Sequence, residues 1–217
     1  FSAVAVPLAV ILSLLLAMLL LSKIPGKTQL RTFYLSPLMV PVASVVLIWQ
    51  VLFDYNGVVN EWFLAMGLDK IDWMKSDYAQ IVIVLLFLWK NLGYNMIIFM
   101  TKLTSKQKEN NEVALLESAT KWQIFWQIKI RYLASTIVFV TIMSLINSFK
   151  VFREVYLMTG DYPYDSLYML QHFMNNTFKS LDYQKLSSAA ILMSLVMIVI
   201  IAILFFFEHR MSKDLEG

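Results

Sequence analysis

Five long apolar runs separated by shorter polar stretches set the pattern of this chain. A helix crossing a hydrocarbon core of about 30 Å needs roughly 20 apolar residues. Runs of that order fall at 3–22, 32–53, 79–100, 134–158 and 186–207. The first ends in a polar turn carrying Lys23, Lys27 and Arg31 around Pro25-Gly26, and the fifth closes on Phe205-Phe206-Phe207 before Glu208, His209 and Arg210. The third is interrupted near its middle by Lys90 and Asn91, and the second half of the fourth is made polar by Asn147, Lys150, Arg153 and Glu154. The pattern predicts an all-α, polytopic transmembrane helical bundle forming a single domain over 1–217.

Composition agrees. Of 217 residues, 59% are apolar and 15% charged, and the mean hydropathy is +0.65, more apolar surface than a soluble domain of this size buries in one core. A disordered chain and a soluble enzyme domain are both excluded. With no cysteine there is no disulfide framework, thiolate nucleophile or Cys-ligated metal centre. His172 and His209 are the only histidines and are expected on opposite sides of the bilayer, which argues against a histidine metal site or catalytic pair. A membrane-embedded enzyme would need a nucleophile and base, or a metal cluster, on one side, and neither is visible. No G-x-x-x-x-G-K-[ST] loop is present, so the chain has no nucleotide-phosphate cradle of its own and no bound cofactor is expected.

The net charge of +3 matters through its placement rather than as a nucleic-acid signal, and no nucleic-acid partner is expected. Lys and Arg on alternate sides of the five runs number eleven at 23–31, 101–133 and beyond 207, against six at 54–78 and 150–185. The positive-inside rule places the first set, the 101–133 loop and Gly217 in the cytoplasm and Phe1 outside. The chain opens at the edge of a hydrophobic helix without a cleavable signal pattern, so at least one further span is expected before Phe1.

Polar groups inside the runs are the main chemical signal, because an unpaired charge in hydrocarbon is costly and such groups face a cavity or each other. Lys90, Asn91, Tyr94 and Asn95 in the third run and Asn147, Lys150, Arg153 and Glu154 in the fourth form two polar sides. Two readings stay open for them: interhelical glue with a Lys–Glu pair, or a polar path near the midplane that binds solute hydroxyls. In the 54–78 loop, Asp54, Glu61, Asp69, Asp72 and Asp77 outweigh Lys70 and Lys75, and Trp62 and Trp73 read first as interfacial anchors. A flat helix near 58–66 is also a possible docking face for an external partner.

The 101–133 loop is long for a connection between spans and therefore expected to be functional. Leu115, Ala119, Trp122 and Trp126 recur along one helical stripe. Taken alone, the stripe suits a basic helix on the anionic inner leaflet, with membrane lipid as its partner, or a docking helix for a soluble subunit. The stretch Glu112-Val113-Ala114-Leu115-Leu116-Glu117-Ser118-Ala119, followed by Trp122-Gln123, Phe125 and Ile128, resembles the EAA loop (E-A-A-x-x-D-G-A) of binding-protein-dependent ABC importer permeases. It departs from that pattern at Val113, Glu117, Ser118 and Arg131, where the family has alanine, aspartate, glycine and proline. Further stretches match in order: Arg31-Thr32-Phe33-Tyr34 with Pro37; Trp49 with Phe53, Gly57 and Asn60; WKNLGYNMIIF at 89–99; and Tyr183 to Ala189. SFKVFREVYLMTGDYP at 148–163 is similar to the family's SFKVFDxVYxLTxGGP, with Asp161 and Tyr162 changed.

The resemblance covers nearly the whole chain and points to the carbohydrate-uptake subgroup, in particular its maltose and glycerol-phosphate first-permease type, with the type I importer (MetI-like) fold. It implies a homologous second permease subunit, two ATPase subunits holding ATP and Mg, an extracellular solute-binding protein, and a bacterial or archaeal plasma membrane. It assigns Glu112, Ala114, Glu117, Ser118, Ala119 and Trp122 to coupling with the ATPase and makes Lys90, Asn91, Tyr94, Asn95, Asn147, Lys150, Arg153 and Glu154 candidates for the substrate path. Serine in place of glycine at 118 predicts a more continuously helical loop. The solute expected is a sugar; a glycerophosphodiester, a polyol or an acidic oligosaccharide is the alternative within transport, and a channel or scaffold the alternative outside it.

Overall fold

A computed structural model of the chain describes residues 1–22, 24–104, 120 and 123–213, and these form helices and connecting turns without a strand. The helices are α1 (Ser2–Leu21), α2 (Lys27–Leu35), α3 (Val42–Leu52), α4 (Val58–Ala65), α5 (Ala79–Thr104), α6 (Ala134–Lys150), α7 (Phe152–Thr159), α8 (Leu170–Lys179) and α9 (Tyr183–Lys213). Among the described residues, Ser2–Leu21, Ala79–Thr104, Ala134–Thr159 and Tyr183–Arg210 are long and apolar enough to cross a membrane.

α1 and α5 form the centre of the packing. Ala5, Ala9, Ser13 and Ala17 recur every fourth residue and are fully buried, so α1 presents a stripe of small side chains. Such a stripe lets two backbones approach closely where lipid offers no hydrophobic drive to associate. Ile83, Phe87, Met96 and Phe99 of α5 fill the core around it, and α6 closes the group, with the Ser2 and Ser148 hydroxyls 2.8 Å apart.

The second expected span, 32–53, is not one helix. After α2 the chain makes a short 3-10 turn at Ser36–Met39 and then resumes as α3, the two parts bent by 106°. The cause is Pro41. Its ring forces the preceding residue out of the helical region, and Val40 has φ −86 and ψ 127. Proline also supplies no N–H to continue the ladder. Within the single apolar stretch Ala134–Thr159, α6 and α7 meet at Val151, whose backbone stays in the helical region.

The 54–78 loop is organised by one buried side chain. Asn60 is fully buried; its Nδ2 donates to the carbonyls of Tyr55 at 3.0 Å and Ile71 at 2.8 Å, and its Oδ1 accepts from the Ile71 N–H at 3.1 Å and Trp73 Nε1 at 2.9 Å. Trp73 is correspondingly buried, edge-on to Phe53 and Phe63, so it is a core residue of the loop and not an interfacial anchor. Trp62 is 72% exposed. Asn60→Ala is expected to leave the Trp73 indole N–H and the Ile71 peptide group unpaired, costing about 2–4 kcal/mol, and to appear as faster proteolysis confined to 54–78.

α9 lies at the edge of this core, packing Met197, Ile200 and Ile201 against it. No residue of its apolar stretch is buried within the chain, and Leu195, Ile198, Phe205 and Phe206 are all exposed. Ser135 donates to Glu208 Oε1 at 2.8 Å, tying the far end of α9 to the start of α6.

Candidate functional site

Two polar helix faces meet near the middle of α5. Phe87, Lys90 and Asn91 lie at i, i+3 and i+4 on α5, and Asn147, Lys150 and Val151 repeat that spacing at the end of α6, so each set occupies one side of its helix. With Arg153 and Glu154 of α7 and Leu38 of the 3-10 turn, they line a cavity of about 210 Å³. Six of the eight residues expected in a substrate path therefore share one space.

Within it, Lys90 Nζ donates to Glu154 Oε1 in a direct ion pair. Glu154 is 3% exposed, and its second carboxylate oxygen is buried without a partner. Asn147 Nδ2 donates to Asn91 Oδ1 at 2.8 Å, while Asn91 Nδ2 donates back to the Phe87 carbonyl at 2.7 Å. This amide pair stitches α5 to α6 and takes up all three of those groups. Lys150 and Arg153 are exposed and have no acidic partner among the described residues.

Asn95 and Tyr94 do not reach the cavity. Asn95 is one helical turn beyond Asn91, fully buried, with Nδ2 donating to Ser144 Oγ at 2.8 Å. This bond links α5 to α6, and the Asn95 Oδ1 is buried without a partner. Tyr94 is 38% exposed on the outside of the group. Leu38, Phe87 and Val151 enter the lining unannounced; the prolines at 37 and 41 were the available signal for Leu38, since they bend the chain where it passes the cavity.

Beyond the cavity, α7 rests on α8 through His172. The ring is fully buried, edge-on to Phe152 at 4.8 Å and stacked on Tyr168 at 5.6 Å, and Nδ1 accepts the Met169 N–H at 3.1 Å, capping α8. Burial pushes its pKa below the usual imidazole value, against the opposing pull of the Asp161 charge. Asp161, one of the positions at which 148–163 departs from the family stretch, takes Lys179 as its partner at 2.5 Å. The hydrogen bond from Lys179 holds the Asp161 carboxyl below the usual carboxylate range.

The sign for His172 follows from linkage. Where the unfolded chain binds a proton that the folded one resists, stability falls with pH. The full stability holds above the ordinary value of 6.5 and is lost as pH falls below it toward the depressed folded value. Thermal midpoints of the purified complex at pH 7.5 and 5.5 should therefore differ more for the wild type than for His172→Gln, whose amide oxygen also accepts the Met169 N–H.

The six residues expected to couple to an ATPase, Glu112, Ala114, Glu117, Ser118, Ala119 and Trp122, lie outside the described residues. At the end of that loop, the Thr120 N–H donates to Gln123 Oε1 at 2.9 Å and the Gln123 N–H to Thr120 Oγ1 at 3.3 Å. This reciprocal pair is a capping box, the signature of a helix start, and Thr120 itself is non-helical. The more continuously helical loop expected from Ser118 lies outside the described residues.

A family model described as binding-protein-dependent transport system inner membrane component matches residues 6–216. The chain belongs to this family. It is thus a multi-pass membrane transport subunit. The lactose transport system permease protein LacF of Rhizobium radiobacter is 27% identical over 221 residues, 99% of this chain and 73% of that protein. The trehalose/maltose transport system permease protein MalF of Thermococcus litoralis is 24% identical over 216 residues, 99% and 73% respectively. The multiple sugar-binding transport system permease protein MsmF of Streptococcus mutans is 28% identical over 212 residues, 95% and 71%. Among solved structures, a bacterial ABC transporter involved in import of the acidic polysaccharide alginate superposes with a TM-score of 0.77 at 17% identity, covering 96% of this chain and 77% of that one. The permease fold expected from the sequence is therefore the fold this chain adopts.

Proposed function

We propose that this chain is the permease subunit of an ATP-driven carbohydrate importer and forms half of its translocation path. The observation that carries the reading is the cavity: side chains suited to hydroxyl and charge recognition converge where the middle of α5 meets the end of α6 and the start of α7, in a chain whose relatives include permeases named for lactose, trehalose or maltose, and multiple sugars. A homologous second permease subunit completes the path, and the exposed α9 face supports its presence, since apolar side chains such as Leu195, Ile198 and Phe206, left uncovered by their own chain, are available to a neighbouring helix.

In this reading two ATPase subunits bind ATP and Mg and take up the loop that contains Glu112 and Ala114–Ala119. Closure of the ATPases drags the spans and alternates access to the cavity, while an extracellular binding protein delivers solute to the side carrying 54–78. The Lys and Arg distribution supports a cytoplasmic 101–133 loop and C-terminus. The test is ATP hydrolysis by the reconstituted complex with and without solute-loaded binding protein. Stimulation by the loaded protein is expected, and its loss in Ala114→Arg. Hydrolysis indifferent to every loaded binding protein, or failure of any ATPase to associate, would sink the reading.

A further inference from the structure

We infer that the solute accepted by this path is anionic, a polyhydroxylated molecule bearing a carboxylate or phosphate. The inference rests on the importer reading above and concerns the class of cargo. Its starting point is the charge carried by the cavity lining. Lys90, Lys150 and Arg153 face one carboxylate, Glu154, and that carboxylate is engaged by Lys90. Lys150 and Arg153 are left without an acidic partner among the described residues, so the lining carries two uncompensated positive charges. Both are exposed and line the cavity, so an oxyanion entering it meets two cations that no described carboxylate neutralises. Arg153 also stands where the quoted family stretch has an aspartate, so at this position the lining is basic where that stretch is acidic.

The second observation is the unpartnered oxygen. Glu154 Oε2 is buried and accepts no hydrogen bond, and an ionised carboxylate oxygen has only acceptor capacity. A bare anion cannot satisfy it, whereas a sugar hydroxyl can. One acceptor for a hydroxyl beside two cations for an oxyanion matches a sugar acid or sugar phosphate, with Arg153 offering the planar fork that suits either group.

The test uses the complete complex with its partner subunits and binding protein in proteoliposomes, measuring ATP-dependent uptake of labelled trigalacturonate, its carboxyl-reduced counterpart galactotriose, and glucose 1-phosphate. Uptake of at least one anionic probe and exclusion of galactotriose is expected, and whether the uronate or the phosphate enters identifies the source of the charge. Lys150→Gln and Arg153→Gln should each raise the KM for the anionic probe roughly tenfold with the maximal rate little changed, a split that a scaffold role would not produce. Galactotriose taken up as well as the anionic probes, or no anionic probe taken up, overturns the inference. If ATP-dependent uptake of galactotriose persists, the importer reading survives that result; if no probe enters and hydrolysis also ignores the binding protein, both fall.

Discussion

Gly93→Ala is expected to abolish recovery of the folded complex. A Cβ at this position would sit 1.9 Å from the Tyr34 carbonyl oxygen and 2.6 Å from its carbon, far inside any contact that real side chains make. Both atoms are backbone, so no rotamer change relieves the overlap. α5 would have to move off the end of α2, and that end leads directly into the bend at Val40–Pro41. Overpacking of a side-chain contact costs about 1–3 kcal/mol; against fixed backbone we expect a penalty at or above the top of that range. Fluorescence-detected size exclusion of a tagged complex reads the outcome, and a wild-type elution profile for the alanine variant would show that α2 and α5 do not approach so closely.

The second large effect concerns Lys90 and Glu154. Removing one member of a buried pair leaves an uncompensated charge and costs about 3–5 kcal/mol, while replacing both with apolar groups of similar volume is often neutral. Glu154 is the more deeply buried, with 4% of its side chain exposed against 26% for Lys90. Solvent therefore reaches Lys90 and softens the penalty, and Glu154→Ala is expected at the lower end of that range. The double variant Lys90→Met with Glu154→Leu should regain a thermal midpoint near the wild type yet fail to transport, because the cavity then lacks both the free Glu154 oxygen and the Lys90 ammonium. Wild-type uptake by the double variant would reduce the pair to interhelical glue.

These two cases divide along the line of what a single chain reading reveals. Lys90 and Glu154 were both visible as polar interruptions of apolar runs, because a helical period converts spacing into a face. Their pairing was not, since 64 residues separate them and either face might have met another helix. Gly93 appeared only inside a matched stretch, WKNLGYNMIIF, without any sign that Tyr34 would lie against it. Asn95 shared a face with Asn91 in sequence but was taken out of the path by Ser144, a residue on another helix. Asn60 and Trp73, thirteen positions apart, likewise became one buried unit only through the closure of their loop.

The sequence by itself determined that the chain is a membrane bundle, where its apolar helices run, which faces are polar and to which family it belongs. Those properties are local: run length, helical period and short motifs depend on neighbours along the chain. Tertiary structure alone decided that the bend at Pro41 brings Leu38 to the cavity, the partner of each buried polar group, and which of the polar residues share a space. A periodic pattern specifies that a face must be covered, whereas the identity of what covers it depends on close packing between helices distant in the chain.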